Sequence, residues 1–514
     1  MKFICLLTPA NRWLSALSRA ATAAMLLVGT VATAWAQSES DSKDVDTLDA
    51  LIVSANRAPT DPLVVTSAVT LIKPESLRSA QIDDLASALA QVPGLSVVPT
   101  GGGGPTAVFM RGGAADHTVF LVDGVRMNTP DASYAQFLGA AGTLGLDRIE
   151  VLAGPQSTLY GSAALEGVIV MDTTRGGRDS VGRVRVSAGS FDSYDGAVEL
   201  HGGTGKLGYS ASIAATSTAN DRERNDAQSV ASSTRLETKL NEALTLGWTL
   251  RGQESSADAP GSVGSPYIGE VDTTDNLSTV YGQWQFDDTL SSRLTYEWVQ
   301  REYTYTPVPP PLGSPRDSPY FSQDTRNVSD WQTNWDPTAA ISVVGGVAVE
   351  TETITSVTPS GVDGFDNDSR GAYVMAHTHL VADTTLQAGL RYDDFARWGD
   401  ATTWKTGVSR HWATTGTKLR ANYGTGFAAP RPVYVTGGPF YNPNPTLLPE
   451  ESKGWDLGFD QTLVGDRLVL GVTYFENRFR NLFTYDFSIP GIINTGKATS
   501  RGLETALALT PMTE

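Results

Sequence analysis

The chain has 514 residues and a formal net charge of -18, from 38 Lys and Arg against 56 Asp and Glu. That balance speaks against a nucleic-acid partner. The single cysteine, Cys5, excludes a disulfide framework or a Cys-based metal site.

The N-terminus has the pattern of an export signal. Lys2, Arg12 and Arg19 accompany an apolar, small-residue run from Ala20 to Thr33, and Ala34-Trp35-Ala36 has the form of a cleavage site. The run is too short to span a bilayer and no stop-transfer flank follows. Residues 1–36 are therefore expected to be removed, leaving an exported chain that starts near Gln37. Losing those three cations takes the formal charge from -18 to -21. No apolar run in the remainder reaches the roughly 20 residues of a transmembrane helix.

Residues 38–48 are polar and acidic, the composition of a flexible tail. Asp49 to Arg57 is a short β-prone island before the break at Pro59 to Pro62. Read from its residues alone, it is the first strand of the next domain. Gln81 to Gln91 is predicted as one helix, with Leu85, Leu89 and Val92 on one face and Pro93-Gly94 at its end. Gly101 to Gly104 resembles a phosphate loop only superficially, because no G-K-[ST] and no helix follow.

Three blocks of short apolar strands come next: Val108 to Gly113, Val119 to Asn128, and Ile149 to Gly161 leading to Gly167-Val168-Ile169-Val170-Met171. Gly, Pro and Asp-Gly corners between them predict a small mixed sheet.

From Gly182 the period becomes two. Leu244, Leu246, Trp248 and Leu250 alternate with polar residues or Gly, as do Leu386 to Tyr392, Leu419 to Tyr423 and Trp455 to Phe459. Segments of about ten residues or more, apolar on one face, fit a membrane β-barrel. Short turns such as Asn241 to Ala243 and Asp287-Asp288 alternate with long loops such as Ser255 to Asn276 and Ala428 to Glu451, as a barrel of fixed orientation requires. Sixteen strands are predicted between Gly182 and Leu509, with Trp331, Trp335, Trp404 and Trp412 near strand ends as girdle residues.

The three blocks resemble the plug domain of TonB-dependent outer-membrane receptors, with signatures R-G-x(n)-V-L-x-D-G-V-R-x-N and I-E-V-x-x-G-P-x-S-x-L-Y-G-x-x-A-x-x-G-V-I. The resemblance implies a mainly β fold: a transmembrane antiparallel β-barrel of about 22 strands holding an N-terminal α+β plug in its lumen. It divides the chain into a signal peptide (1–36), a flexible N-terminus (37–58), a plug (59–178) and a barrel (179–514). With fewer strands predicted and no closing strand, the barrel is expected to be C-terminally incomplete; a natural smaller barrel is the alternative.

Further implications fall on single residues. The island Asp49, Ala50, Leu51, Ile52, Val53, Ser54 and Ala55 takes the place of the TonB box, which adds as a strand to the periplasmic coupling protein. Ligand-contacting plug apices fall at Pro105, Ala107, Ala114, Ala132 and Ser133. The family's plug cations, one retained at Arg111 and one replaced by Ala153, pair with barrel acids, for which Glu451 and Glu504 are the candidates. Asp221, Asp226, Asp258, Asp272 and Asp275 lie in two acidic loops that resemble the calcium-binding loops of the cobalamin-transporting branch; Ca²⁺ takes about 6 to 8 oxygens. His377 and His379 share a strand face at metal-binding spacing, though lone histidine pairs more often have no such role.

No catalytic motif is present, and no cofactor beyond calcium is implied. The expected function is TonB-dependent import across the outer membrane of a Gram-negative bacterium, by a monomer, with cobalamin (vitamin B12) as cargo. A ferric siderophore is the first alternative and a passive porin or adhesin the second.

Overall fold

The structure, a computed structural model, describes Ile52 and residues 55–99, 104, 106–129, 135, 137–138, 141–259, 269–307, 318–359, 361–381, 383–437, 442–464 and 467–509. The plug contributes β1 (Ala68–Ile72), α1 (Pro74–Ser79), α2 (Leu85–Leu89), β2 (Leu95–Pro99), β3 (Thr106–Met110), β4 (Thr118–Val122), β5 (Val125–Arg126), β6 (Leu146–Ala153), α3 (Ser157–Tyr160) and β7 (Gly167–Thr173). Five of these strands form one sheet in the order β1-β6-β7-β4-β5, and β2 pairs with β3 separately. Only β4 and β7 run parallel.

The plug core collects Leu85, Leu89, Val108, Met110, Phe120, Ile149, Ile169 and Met171. Each such side chain contributes about 1.5–3 kcal/mol by leaving water. Phe120 meets Phe137 edge-on at 5.8 Å. The helix expected over 81–91 is a single turn. Gln81 has φ +55 and ends α1, with the Ile82 N–H donating back to the Leu77 carbonyl at 2.9 Å. The second helix starts only at the cap Asp84, whose carboxylate accepts from the Ser87 N–H at 2.7 Å.

The wall is built from β8 (Val181–Gly189), β9 (Ser193–Thr204), β10 (Leu207–Thr218), β11 (Ala227–Lys239), β12 (Leu244–Asp258), β13 (Gly269–Gln285), β14 (Leu290–Pro307), β15 (Tyr320–Thr338), β16 (Ile341–Thr358), β17 (Gly361–Asp366), β18 (Ser369–Val381), β19 (Thr384–Phe395), β20 (Gly399–Trp412), β21 (Thr417–Ala428), β22 (Glu450–Leu463) and β23 (Leu468–Arg480). A hairpin of β24 (Phe483–Asp486) and β25 (Gly491–Asn494) precedes the last strand, β26 (Lys497–Leu509). Neighbouring wall strands pair antiparallel; β17 is a short addition to one end of β16, whose other end pairs with β18, and β23 pairs with β26. Without the short β17 the wall has sixteen strands among the described residues, the number expected; β17 falls in the 356–368 connection, which the sequence reads as a long loop.

The ring order places β26 beside β8. No residue-by-residue register joins those two among the described residues; β8 is laddered to β9 and β26 to β23.

Side chains alternate across the wall as the period-two reading requires. On β12, Leu246, Trp248 and Leu250 point outward while Gly247 and Thr249 are buried against the lumen contents. The short turns are held by local caps: Asn241 Oδ1 accepts from Ala243 and Leu244, and Asp287 Oδ1 from Thr289 and Leu290. At the other end the connection after β21 contains α4 (Pro432–Thr436), which packs through Tyr434 on Phe483 and Ile492 of the connection after β23.

Candidate functional site

The Asp123-Gly124 corner joins β4 to β5 with both residues at positive φ, +52 and +92, the geometry of a tight primed hairpin turn. Its carboxylate accepts from the Thr173 N–H at 2.8 Å and pairs with Arg235 and Arg251 of the wall. Burial opposes ionisation of Asp123, and the two arginines with the Thr173 bonds outweigh it, holding the carboxyl below its usual range. Asn128 folds back on β4, accepting from the Phe120 N–H and donating to the Thr118 carbonyl, each at 2.8 Å. This leaves the carbonyls of Arg126 and Asn128 to receive Arg301, and that of Arg126 also to receive Arg326. The signature stretch is therefore a polar bolt between plug and wall.

Above this bolt, at the long-loop end, lies an open cleft of about 930 Å³ between the plug turns 126–129 and 161–163, the wall and the α4 connection. Four guanidinium groups line it, from Arg126, Arg326, Arg391 and Arg431, and four carboxylates, from Asp116, Glu350, Glu352 and Asp393. Arg391 bonds Asp393 at 2.6 Å, Arg431 of the outer connection pairs with Asp116 of the plug, and Glu352 accepts from Asn367 at 3.0 Å. Burial disfavours a charged Asp116, but Arg431 and His117 hold its carboxyl below the usual value. Next to it, the Ala114 N–H donates to His117 Nδ1 at 3.1 Å and Nε2 faces Glu450 at 2.9 Å. Glu450 in turn accepts the Phe483 N–H at 2.6 Å. Two consecutive plug residues thus reach both outer connections.

A plug filling a strand cylinder, sealed by charged contacts and open at one face, matches two family models. Residues 61–168 match the TonB-dependent receptor plug domain, and 172–510 match the TonB-dependent receptor-like β-barrel. The chain belongs to the TonB-dependent receptor family. It is accordingly an outer-membrane transporter, in a family of receptors and transporters. The vitamin B12 transporter BtuB of Photobacterium profundum is 26% identical over 433 residues, covering 82% of this chain and 68% of that one. Among solved structures, the siderophore receptor PirA from Pseudomonas aeruginosa aligns with TM-score 0.68 and 21% identity, covering 87% of this chain and 82% of that chain. The ferripyoverdine receptor of the same organism aligns at 0.75 and 15%, covering 90% and 71%. At these identities the two structures establish the fold alone.

Of the plug apices expected to meet ligand, Pro105, Ala132 and Ser133 lie outside the described residues. Ala114 is exposed at the entrance to the turn Ala115–His117. Ala107 is only 3% exposed on β3, opposite Val98, and offers no surface to a ligand there. The cleft instead uses Arg126, which the signature contained, and Arg326, Arg391 and Arg431, which are isolated arginines that no sequence pattern distinguishes.

The receptor's plug cation Arg111 does pair with Glu504, through Nε at 2.9 Å and Nη2 at 2.7 Å, beneath the ring of Phe475. Glu451 does not join them. It faces outward on β22, and Glu450, one residue earlier, takes the inward position beside His117. Period two makes that single step a change of face.

The acidic residues divide as well. Asp226 and Asp258 meet at the rim of β11 and β12, where the Asp226 N–H donates to Asp258 Oδ2 at 3.2 Å. Asp221 is exposed in the preceding loop and Asp272 is half-buried on β13. Asp275 departs from the expected cluster: it is buried on the lumen face against Arg301 at 3.4 Å, because three positions along a strand reverse the side-chain direction. Among the described residues no group of three or more His, Cys, Asp or Glu is arranged to hold a metal. Of the box, Asp49, Ala50, Leu51, Val53 and Ser54 lie outside the described residues. Ile52 and Ala55 are buried against Val65 and Leu152, and Ile52 exchanges backbone bonds of 2.9 Å with Thr60.

Proposed function

We propose that this receptor imports cobalamin. The observation that carries the reading is the charge balance of the outer cleft, where four guanidinium groups face four carboxylates. Such a wall offers many fixed donors and acceptors and little net field. A bulky, amide-rich and nearly neutral ligand suits it, whereas a polyanionic ferric siderophore gains most from a net positive cleft. The relative named as a vitamin B12 transporter supports the same cargo. Energy enters from a TonB-type coupling protein that pairs with Asp49 to Ala55 by strand addition. Calcium at the rim carboxylates Asp226 and Asp258 stiffens the outer loops and so favours ligand capture.

Purified receptor in detergent, titrated with cyanocobalamin and with ferric siderophores in calcium and in EDTA, tests the proposal. Saturable cobalamin binding, weaker in EDTA, is expected. Siderophore binding without cobalamin binding replaces the cargo, and equal cobalamin affinity in the two buffers removes the calcium role.

A further inference from the structure

The outward face of β20 to β23 carries a row of aromatic rings. Trp404 stacks on Tyr423 at 5.2 Å and Trp455 meets Tyr474 at 5.4 Å. Toward the short turns, the registers align outward apolar residues: Leu457, Tyr474 and Leu503 in one row, Phe459 beside Val472, and Leu463, Leu468 and Leu509 in another. Aromatic belts of this kind sit where hydrocarbon gives way to headgroups.

Toward the long loops the same face turns to charge at once. Glu476 stands between Trp455 and Arg501; one step further Lys453 faces Arg478, and beyond that Arg480 lies between Glu451 and Lys497. Lys453 with Arg478 and Arg480 with Lys497 are like-charge pairs directly across neighbouring strands, an arrangement that destabilises a sheet unless an anion bridges it. Arg478 bonds Glu476 at 2.6 Å, and among the described residues Lys453, Arg480, Lys497 and Arg501 are exposed with no ion pair. Five cations against two carboxylates thus gather on the outward wall of a chain whose net charge is -18. Elsewhere on the same rim stand Asp226 just before β11, Asp258 at the end of β12 and Glu270 at the start of β13.

We propose that the outward face of β22, β23 and β26 at the long-loop end binds the phosphate groups of a phosphorylated lipid in the surrounding leaflet. Lys453 and Arg478 lie roughly 7 Å beyond the Trp455 row, two residues at about 3.3 Å each, and Arg480 with Lys497 roughly 13 Å beyond it, four residues away, so the two pairs span the depth of headgroup phosphates. The apolar rows directly beneath are lipid-facing, so an occupant must have acyl chains below and negative charge above. A soluble acidic protein meets only the second requirement.

Native mass spectrometry of the full chain in non-ionic detergent tests this with diphosphoryl lipid A, its dephosphorylated form, and inorganic phosphate as competitor. Retention of the diphosphoryl lipid alone is expected, unaffected by millimolar phosphate. The triple variant Lys453→Gln, Arg480→Gln, Lys497→Gln should bind about a hundredfold more weakly, while Lys453→Arg with Lys497→Arg should retain binding. Thermal melts of each variant verify folding. Equal retention of the dephosphorylated lipid, full binding by the folded triple variant, or displacement by inorganic phosphate would each overturn the proposal.

Discussion

His117 and Glu450 join plug and wall at 2.9 Å, with both side chains sealed from solvent, and the same carboxylate holds the Phe483 N–H of the outer hairpin. Removing Glu450 strands the buried His117 ring and the part-buried Phe483 N–H. Glu450→Ala should therefore cost about 3–5 kcal/mol of plug anchoring, whereas Glu451→Ala, on the outer face, should stay within about 0.5 kcal/mol. The urea midpoint for proteolytic release of the plug measures both. Equal effects at the two positions would contradict the strand register.

The wall facing Ala153 suggests a stabilising change. Ala153 lines a gap between plug and wall together with Arg420, Asp460 and Glu504. Arg111 occupies one side of Glu504, so an arginine at 153 finds carboxylates within reach and room to enter. Ala153→Arg should raise the denaturant midpoint of plug release. An unchanged or lower midpoint shows that burying the second cation costs more than its pairing returns.

A pH dependence follows from Glu166, buried in the plug and accepting from Asn477 at 2.7 Å. Burial, opposed by His117 and Arg111, pushes its carboxyl up to about 8. The native plug then holds a proton that the unfolded chain releases near the ordinary value of about 4.3. Because the unfolded state binds fewer protons, stability from this group is full below that value and falls as pH rises through the native pKa. Glu166→Gln keeps the neutral form and should flatten the slope, gaining on the parent near pH 9 and little near pH 4. Parallel slopes for the two proteins would reject the assignment.

Energy coupling can be separated from ligand capture at Leu51. Proline there removes a donor and fixes φ, which strand addition does not tolerate. Leu51→Pro should abolish energy-dependent uptake and leave surface binding nearly intact, while Leu51→Ala should be mild. Ile52 is docked in the plug, so a box that serves as an added strand must first leave that contact. Loss of both binding and uptake in the proline variant would identify the segment as a plug strand instead.

Much of the architecture was legible in the sequence. Period two with alternating short and long connections specified a lipid-facing wall, because membrane depth imposes a dry outer face and a polar lumen on every strand. Signature glycines and the Asp-Gly corner specified the plug, because those backbone angles admit few other residues. The pairing of Arg111 with a barrel acid came instead from the family resemblance, which offered Glu451 and Glu504 as the candidates; the structure pairs it with Glu504.

What tertiary structure decided were the sites assembled across elements. The choice of Glu450 over Glu451 depends on a one-residue register that no local pattern fixes. The separation of Asp275 from Asp258 depends on which face of β13 meets the lumen. The cleft gathers Asp116, Arg326, Arg391 and Arg431 from four distant segments, each ordinary when read alone. The physical reason is that strand periodicity reports which way a side chain points, while charge complementarity across the lumen depends on which strands the barrel's curvature brings opposite the plug.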